Sequence, residues 1–174
     1  MTEGPEGKAG QPATARACLR RGLVLAALVL VLDQASKWVI LAAVMRPPRV
    51  IEVTGFFNLV LTYNTGVSFG MLGGAAAWKP WALAGLAFAV SFGLFLWLRR
   101  QPAPLLAWGV GLVSGGALGN ALDRLHRPGV VDFLDFHAAG WHWPAFNLAD
   151  SAISLGVAVL VADGLFGAGR GSTK

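Results

Sequence analysis

The sequence predicts an all-α integral membrane protein with four transmembrane helices and a small extracytoplasmic segment that contains β-strands. Of its 174 residues, 55% are hydrophobic and only 13% are charged, which is too apolar for an ordinary soluble domain. Four apolar stretches are each about 20 residues long, enough to cross roughly 30 Å of hydrocarbon. The connection after the first stretch is instead dense in β-branched and aromatic residues, which favour strands.

The expected organisation is one membrane domain over residues 22–166, flanked by cytoplasmic tails at residues 1–21 and 167–174. The spans are predicted at about residues 22–45, 80–98, 104–122 and 148–166. The two outer connections are predicted at about residues 46–79 and 123–147. An even number of spans places both termini on the same side of the membrane.

Basic residues predict which side that is. On the side of the termini we count eight, namely Lys8, Arg16, Arg20, Arg21, Arg99, Arg100, Arg170 and Lys174. The opposite side has five, namely Arg46, Arg49, Lys79, Arg124 and Arg127. The excess favours cytoplasmic termini. The net charge of +5 is therefore interpreted as a topology signal, and no nucleic-acid partner is expected.

The outer connections carry further signals. The stretch "RVIEVTGFFNLVLTYN" predicts two short strands around a break at Gly55. We hypothesise that these strands clamp a peptide by edge pairing. The later stretch "RPGVVDFLDFHAAGWHWPAFN" carries Trp141 and Trp143, which are typical of a membrane-interface belt.

Four costly polar residues lie at similar depths on three different spans. At a rise of about 1.5 Å per residue, Asp33 and Lys37 lie about 16 and 22 Å from the inner edge. The corresponding distances are about 24 Å for Asp150 and about 28 Å for Asp123. Charged groups in hydrocarbon mark functional sites by default, so we expect the helices to converge and bring these groups together near the outer face.

Local spacing gives these groups structural roles. Asp33 and Lys37 stand at i and i+4, which predicts an ion pair on one helix face. Asn120, Asp123 and Arg124 stand at i, i+3 and i+4 and predict a polar corner at the end of the third span. In both cases structural support is the favoured interpretation.

The third span also contains glycines at every fourth position: Gly111, Gly115 and Gly119. This small-xxx-small pattern allows two helix backbones to approach closely. It predicts a packing seam and no dinucleotide site, because no strand precedes it.

Two further carboxylates suggest chemistry. Asp132 lies in the loop after the third span and Asp150 begins the fourth, so a loop that folds back would bring them together. Two adjacent carboxyls share one proton, so one takes a proton from water while the other donates to a substrate carbonyl. Such a pair predicts an aspartic hydrolase without metal or cofactor. Asp135 is an alternative partner at this stage.

Other chemistries fit less well. "GVSFG" matches a serine-hydrolase pattern, but Ser68 has no strand–turn–helix context. The spacing of the three histidines, His126, His137 and His142, argues against a zinc site. A proton- or ion-coupled transporter is the rival function, although its relay would need ionisable groups through the full depth, and Asp163 is the exception in the inner halves. A noncatalytic lipid-binding assembly factor is a third alternative.

Five ordered motifs resemble those of bacterial lipoprotein signal peptidase, also called signal peptidase II. They are "DQASK" (33–37), "YNTGVSFG" (63–70), "GGALGNALDR" (115–124), "VVDF" (130–133) and "FNLADS" (146–151). The resemblance covers nearly everything from Gly22 to Phe166. It implies a four-helix aspartic endopeptidase of the bacterial cytoplasmic (inner) membrane that is sensitive to the antibiotic globomycin.

The resemblance also implies a substrate and site residues. The substrate is a diacylglyceryl-modified prolipoprotein, cleaved on the N-terminal side of the lipid-modified cysteine. Asp132 and Asp150 are implied as the catalytic pair, near the extracytoplasmic face. The implied neighbours are Asp33, Lys37, Asn64, Asn120, Asp123, Arg124 and Asn147. Membrane lipid is the other expected partner, and we expect a monomer.

Overall fold

The computed structural model of the protein describes residues 11–66 and 77–167. Its four helices are α1 (Gln11–Val39), α2 (Lys79–Arg100), α3 (Pro104–His126) and α4 (Leu148–Gly167). Its four strands are β1 (Ile51–Thr54), β2 (Phe57–Asn64), β3 (Val130–Ala138) and β4 (Trp141–His142). One turn of π-helix, Ile40–Val44, follows α1 directly.

All four helices are long and apolar enough to cross a membrane, which confirms the predicted fold class. Two helices extend well beyond one end of their predicted spans. Helix α1 begins at Gln11, so residues 11–21, expected in a tail, are helical, in keeping with the Ala, Leu and Arg residues that favour helix there. Helix α3 continues to His126, and Arg127, which directly follows its last turn, forms an ion pair with Asp123.

Helix α3 is the centre of the bundle and packs against each of the other three helices. In its most apolar stretch 67% of residues are buried, against 17–28% in the other helices. The other three helices therefore leave most of their apolar surface uncovered, as expected for helices that face lipid.

The predicted glycine seam of α3 lies against α1. A Cβ atom at Gly115 would lie 2.7 Å from the backbone oxygen of Ala26, and one at Gly111 would lie 2.9 Å from that of Gly22. Real Cβ contacts are longer, so only glycine permits this approach. On another face of α3, a Cβ atom at Gly116 would clash with the backbone oxygen of Ala149 in α4, a second seam that the four-residue pattern did not reveal.

The strands form one antiparallel arrangement in the order β1-β2-β3-β4. The predicted pair of strands around Gly55 is present as β1 and β2. Strands β3 and β4 were not predicted, because two aspartates interrupt the apolar run of "VVDFLDFHA". Val131 and Phe133 pack with Ile40 and Met45 in one buried cluster, so β3 is fixed to the end of the helical bundle.

Candidate active site

Asp150 completes a reciprocal cap at the start of α4. The Asn147 side-chain oxygen accepts a hydrogen bond of 2.9 Å from the Asp150 N–H, and the Asp150 carboxylate accepts one of 3.2 Å from the Asn147 N–H. This is the geometry of a capping box, in which a residue before the helix and its third residue satisfy each other's backbone donors. The helix dipole also favours a negative charge at this position.

Asp132 lies on β3, opposite Thr62 of β2. It is buried, with only 2% of its surface exposed. Its carboxylate accepts a hydrogen bond of 2.7 Å from the Asn147 side-chain amide. Asn147 therefore contacts both aspartates, Asp132 through its side chain and Asp150 through the helix cap.

Both carboxyls line a single cavity of about 570 Å³. The lining residues are Asn64, Asp132, Trp143, Pro144, Ala145, Phe146, Asp150, Ser151, Ile153 and Ser154. The cavity thus joins the end of β2, strand β3, the loop before α4 and the first turns of α4. The loop after α3 folds back over the bundle, as the sequence analysis required.

The environment of Asp132 favours its protonated form. Burial raises the pKa of Asp132 to about 6, with a further contribution from the negative charge of Asp150. Hydrogen bonds from Asn64 and Asn147 act in the opposite direction, but they do not cancel the effect. Asp132 therefore keeps its proton up to about pH 6, well above the range of an ordinary carboxyl.

Asn120 connects the two carboxyls to the charged groups of the bundle. Its amide nitrogen donates a hydrogen bond of 2.8 Å to Asp150. Its oxygen accepts hydrogen bonds from Lys37 at 3.0 Å and from Asn147 at 3.2 Å. Since Asn120 and Lys37 are buried, this contact fixes which way the Asn120 amide points.

The predicted ion pair of Asp33 and Lys37 is present at 2.8 Å, and both side chains are fully buried. The second oxygen of Asp33 accepts a hydrogen bond of 3.0 Å from the Ala149 N–H, so α1 also holds the start of α4. A Cβ atom at Gly119 would lie only 2.6 Å from the Asp33 carboxylate. Gly119 therefore makes room for the ion pair between α1 and α3.

Asp123 is a second buried partner of Lys37, at 2.8 Å. The same carboxylate accepts a hydrogen bond of 3.1 Å from the N–H of Val131, the residue before Asp132. Its other oxygen accepts hydrogen bonds from Gln34 and Arg127. Gln34 and Arg127 were not among the predicted site residues, although the i, i+4 spacing from Asp123 was a signal for Arg127.

The charges around the cavity balance if one carboxyl is protonated. The three cations of this network are Lys37, Arg124 and Arg127. The four carboxyls are Asp33, Asp123, Asp132 and Asp150. These groups are joined by ion pairs, hydrogen bonds or electrostatic interactions. A single proton on the carboxyls makes the network neutral, which matters because uncompensated buried charge is costly.

Asp135, the alternative partner, does not line the cavity that Asp132 and Asp150 share. It lies three residues after Asp132, and an odd spacing along a strand directs side chains to opposite faces. Its carboxylate accepts a hydrogen bond of 3.0 Å from Asn58 and contacts the ring nitrogen Nδ1 of His142 at 2.9 Å. The geometry therefore favours Asp150 as the partner.

The remaining predicted residues surround the segment after β2. The Asn64 side-chain oxygen accepts a hydrogen bond of 3.1 Å from the Gly66 N–H, and Arg124 donates to the Gly66 carbonyl at 3.3 Å. Arg124 also donates to the backbone oxygen of Asn120, at 3.1 Å. Ser68 lies outside the described residues. Within the described parts of the chain, no cluster of three or more His, Cys, Asp or Glu side chains is suited to a metal.

Comparison with known proteins identifies the family. The family model described as signal peptidase (SPase) II matches residues 25–166, which is most of the chain. The chain belongs to the signal peptidase II family. The resemblance of the five sequence motifs is therefore confirmed.

Individual relatives agree with this assignment. A lipoprotein signal peptidase of Aeromonas hydrophila subsp. hydrophila is 48% identical over 146 residues, covering 83% of this chain and 87% of the relative. One from Azoarcus sp. strain BH72 is 49% identical over 140 residues, covering 80% and 79%. A solved bacterial membrane enzyme superposes with a TM-score of 0.73 at 28% identity, covering 88% of this chain and 92% of that one. None of these relatives supports the transporter alternative.

Proposed function

We propose that the protein is an aspartic endopeptidase that removes signal peptides from diacylglyceryl-modified prolipoproteins. It cleaves on the N-terminal side of the lipid-modified cysteine. Family membership supports the peptidase activity, and lipoprotein signal peptidase is the printed name of relatives that are 48% and 49% identical. The observation that carries the aspartic mechanism is the cavity that Asp132 and Asp150 share.

The two carboxyls take complementary roles in this mechanism. Asp132, whose pKa is raised to about 6, is the protonated partner and donates its proton to the carbonyl oxygen of the scissile bond. Asp150 is the ionised partner, because it accepts hydrogen bonds from Asn120 and from the Asn147 backbone. It removes a proton from the attacking water. The two protonation steps belong to the pair and not to either residue alone.

The other polar residues hold this pair in place. Asn147 and Asn120 orient the carboxyls through direct hydrogen bonds. Lys37 and Asp123 act one step further away, since Lys37 fixes Asn120 and Asp123 fixes the backbone beside Asp132. Preorganised groups of this kind stabilise a transition state without a reorganisation cost.

The location of the site fits a lipid-modified substrate. The chain lies in the bacterial cytoplasmic membrane, and we propose cytoplasmic termini with the active site near the extracytoplasmic face. The acyl chains of the substrate stay in membrane lipid while its peptide enters the cavity, and lipopeptide-mimicking globomycin competes for the same cavity. Labelling single cysteines placed at Gln101 and Gly140 from each side of sealed vesicles tests this orientation.

The decisive experiment is cleavage of a purified diacylglyceryl-modified prolipoprotein by the purified protein. We expect cleavage by the wild type, inhibition by globomycin, and no detectable cleavage by Asp132→Asn or Asp150→Asn, because neither variant can both accept and donate the required protons. Asp135→Asn is the matched control, since it changes a nearby carboxyl on the same strand that lies outside the cavity. Substantial turnover by either catalytic variant would refute the assignment.

A further inference from the structure

A second concave surface lies between α1 and α3, at the end of the bundle away from the carboxyl cavity. Two residues of the catalytic network, Asp33 on α1 and Asn120 on α3, lie at least one helical turn beyond the groove residues of the same helix. The groove has a volume of about 360 Å³. It is lined by Arg20, Arg21, Val24, Leu25, Leu28, Ala107 and Trp108. None of these residues has a part in the proposed reaction.

The groove has a charged end and an apolar floor. Arg20, Val24 and Leu28 follow one another at four-residue intervals and therefore share one face of α1. Val24 and Leu28 lie about 6 and 12 Å along the helix from Arg20. Val24, Leu28 and Trp108 are 62%, 51% and 57% exposed, so the described residues leave this floor uncovered.

The charged end carries an excess of positive charge. Cys18 packs with Leu98 and Leu106 in one buried cluster, which brings the doublets Arg20-Arg21 and Arg99-Arg100 to the same end of the bundle. Within residues 11–66 and 77–167, neither Arg20 nor Arg21 forms an ion pair with a carboxylate. Asp163 is the only described carboxylate in the part of α4 that reaches this end.

We propose that this groove binds an anionic diacyl phospholipid. The guanidinium groups of Arg20 and Arg21 hold the lipid phosphate, for which the planar, forked arginine group is well suited. One acyl chain lies along Val24 and Leu28, against the ring of Trp108. Basic pockets between transmembrane helices recognise anionic headgroups in this way, and tryptophan favours the headgroup level.

Charge complementarity selects the anionic lipid over the zwitterionic one. A phosphatidylcholine headgroup carries its own cation and would place it beside the uncompensated arginine doublets. A phosphatidylglycerol headgroup instead supplies the missing negative charge. The groove residues lie outside the catalytic network, so lipid binding here is independent of the peptidase mechanism.

The test is lipid retention by the full-length protein, measured by native mass spectrometry after extraction from vesicles of equal phosphatidylglycerol and phosphatidylcholine content. We expect one preferentially retained phosphatidylglycerol. The double variant Arg20→Gln/Arg21→Gln should weaken that retention roughly tenfold, as two phosphate-binding cations are lost. Trp108→Ala, which keeps both arginines but removes one wall, should weaken it as well.

The matched control is Arg99→Gln/Arg100→Gln, which removes the same charge from the same end but leaves the groove intact. It should keep the preferred lipid, and both double variants should melt like the wild type because all four side chains are at the surface. Equal loss in both double variants would show only general attraction to a basic surface and would overturn the proposal. Absence of a lipid preference, or a second copy of the chain in place of the lipid, would overturn it too.

Discussion

At the scale of single residues, the unusual feature is that Asp132 is buried where its charge is unfavourable. Burial and the neighbouring Asp150 raise the pKa of Asp132 to about 6, whereas an unfolded chain would have the ordinary value of 3.8. The folded state therefore binds more protons than the unfolded state between these two pH values. Stability falls as pH rises through this window and stays lower above it.

This fall in stability with rising pH leads to a prediction for Asp132→Asn. An uncharged amide removes the penalty at neutral pH, so the inactive variant should unfold at a higher temperature than the wild type at pH 7. A shift of about two pKa units limits the gain to about 3 kcal/mol. Thermal unfolding in detergent at pH 7 and near pH 4 checks this, since the difference should shrink at the lower pH. A variant that is less stable than the wild type at pH 7 would contradict it.

The second prediction at this scale concerns Asp33. Asp33→Ala removes a buried partner of Lys37 and the acceptor of the Ala149 N–H, so we expect lower yield, a lower melting temperature and lower activity. The loss of stability should be about 2 kcal/mol or more, because Lys37 loses one of the two carboxylates with which it forms an ion pair and keeps Asp123 and the Asn120 oxygen. Asp163→Ala, which removes a carboxylate outside the network, is the control. Normal expression and melting of Asp33→Ala would contradict this role.

Some contacts of these residues could be predicted from the sequence, and others could not. The Asp33–Lys37 pair followed from its spacing, because helix geometry alone brings i and i+4 together. The contact of Asn147 with Asp132 did not follow from spacing, since it depends on how a strand and a helix start meet in space. Gln34 was missed because its partners, Asp123 and the Gly119 carbonyl, belong to another helix.

At the scale of elements, close helix packing is what positions the polar network. A Cβ atom at Gly115 would lie only 2.7 Å from the backbone oxygen of Ala26, so the backbones of α1 and α3 are in close contact. Four residues further along, Gly119 leaves room for the Asp33 carboxylate. The glycines of one face of α3 therefore allow both the close helix packing and the burial of the Asp33–Lys37 ion pair.

Gly115→Ala should separate α1 from α3 and destabilise the protein by about 1–3 kcal/mol, as overpacking does in other cores. Activity should fall with stability, since Asp33 on α1 holds the start of α4. Gly93→Ala on α2 is the matched control, because a Cβ there meets no atom within 4 Å. Melting temperatures of the two variants check this, and equal values for both would contradict the seam.

The elements that the sequence missed are β3 and β4. Strands β1 and β2 were predictable from continuous β-branched and aromatic residues around Gly55. Strand β3 was hidden because Asp132 and Asp135 interrupt its apolar run, one for the cavity and one for the contact with His142. The site residue Asp132 thus made strand β3 harder to predict from the sequence. The proposed clamping of a peptide by β1 and β2 stays a prediction.

At the scale of the whole molecule, the bundle has two unlike ends. One end collects the buried charges and the cavity, while the other carries the arginine doublets and the apolar groove. Composition and span length were sufficient to predict four membrane helices, because the hydrocarbon thickness fixes how long an apolar helix must be. The central position of α3 was harder to predict from the sequence, since it depends on glycines of α3 that face both α1 and α4.

The proposed mechanism requires one proton shared by Asp132 and Asp150 in an otherwise charge-balanced network. The most direct measurement is an infrared titration of the protonated-carboxyl C=O band in purified wild type, Asp132→Asn and Asp150→Asn. We predict that one carboxyl of the wild type titrates near pH 6 and that Asp132→Asn lacks this signal. A wild type without a carboxyl that titrates near this pH, or an unchanged signal in both variants, would contradict the shared proton.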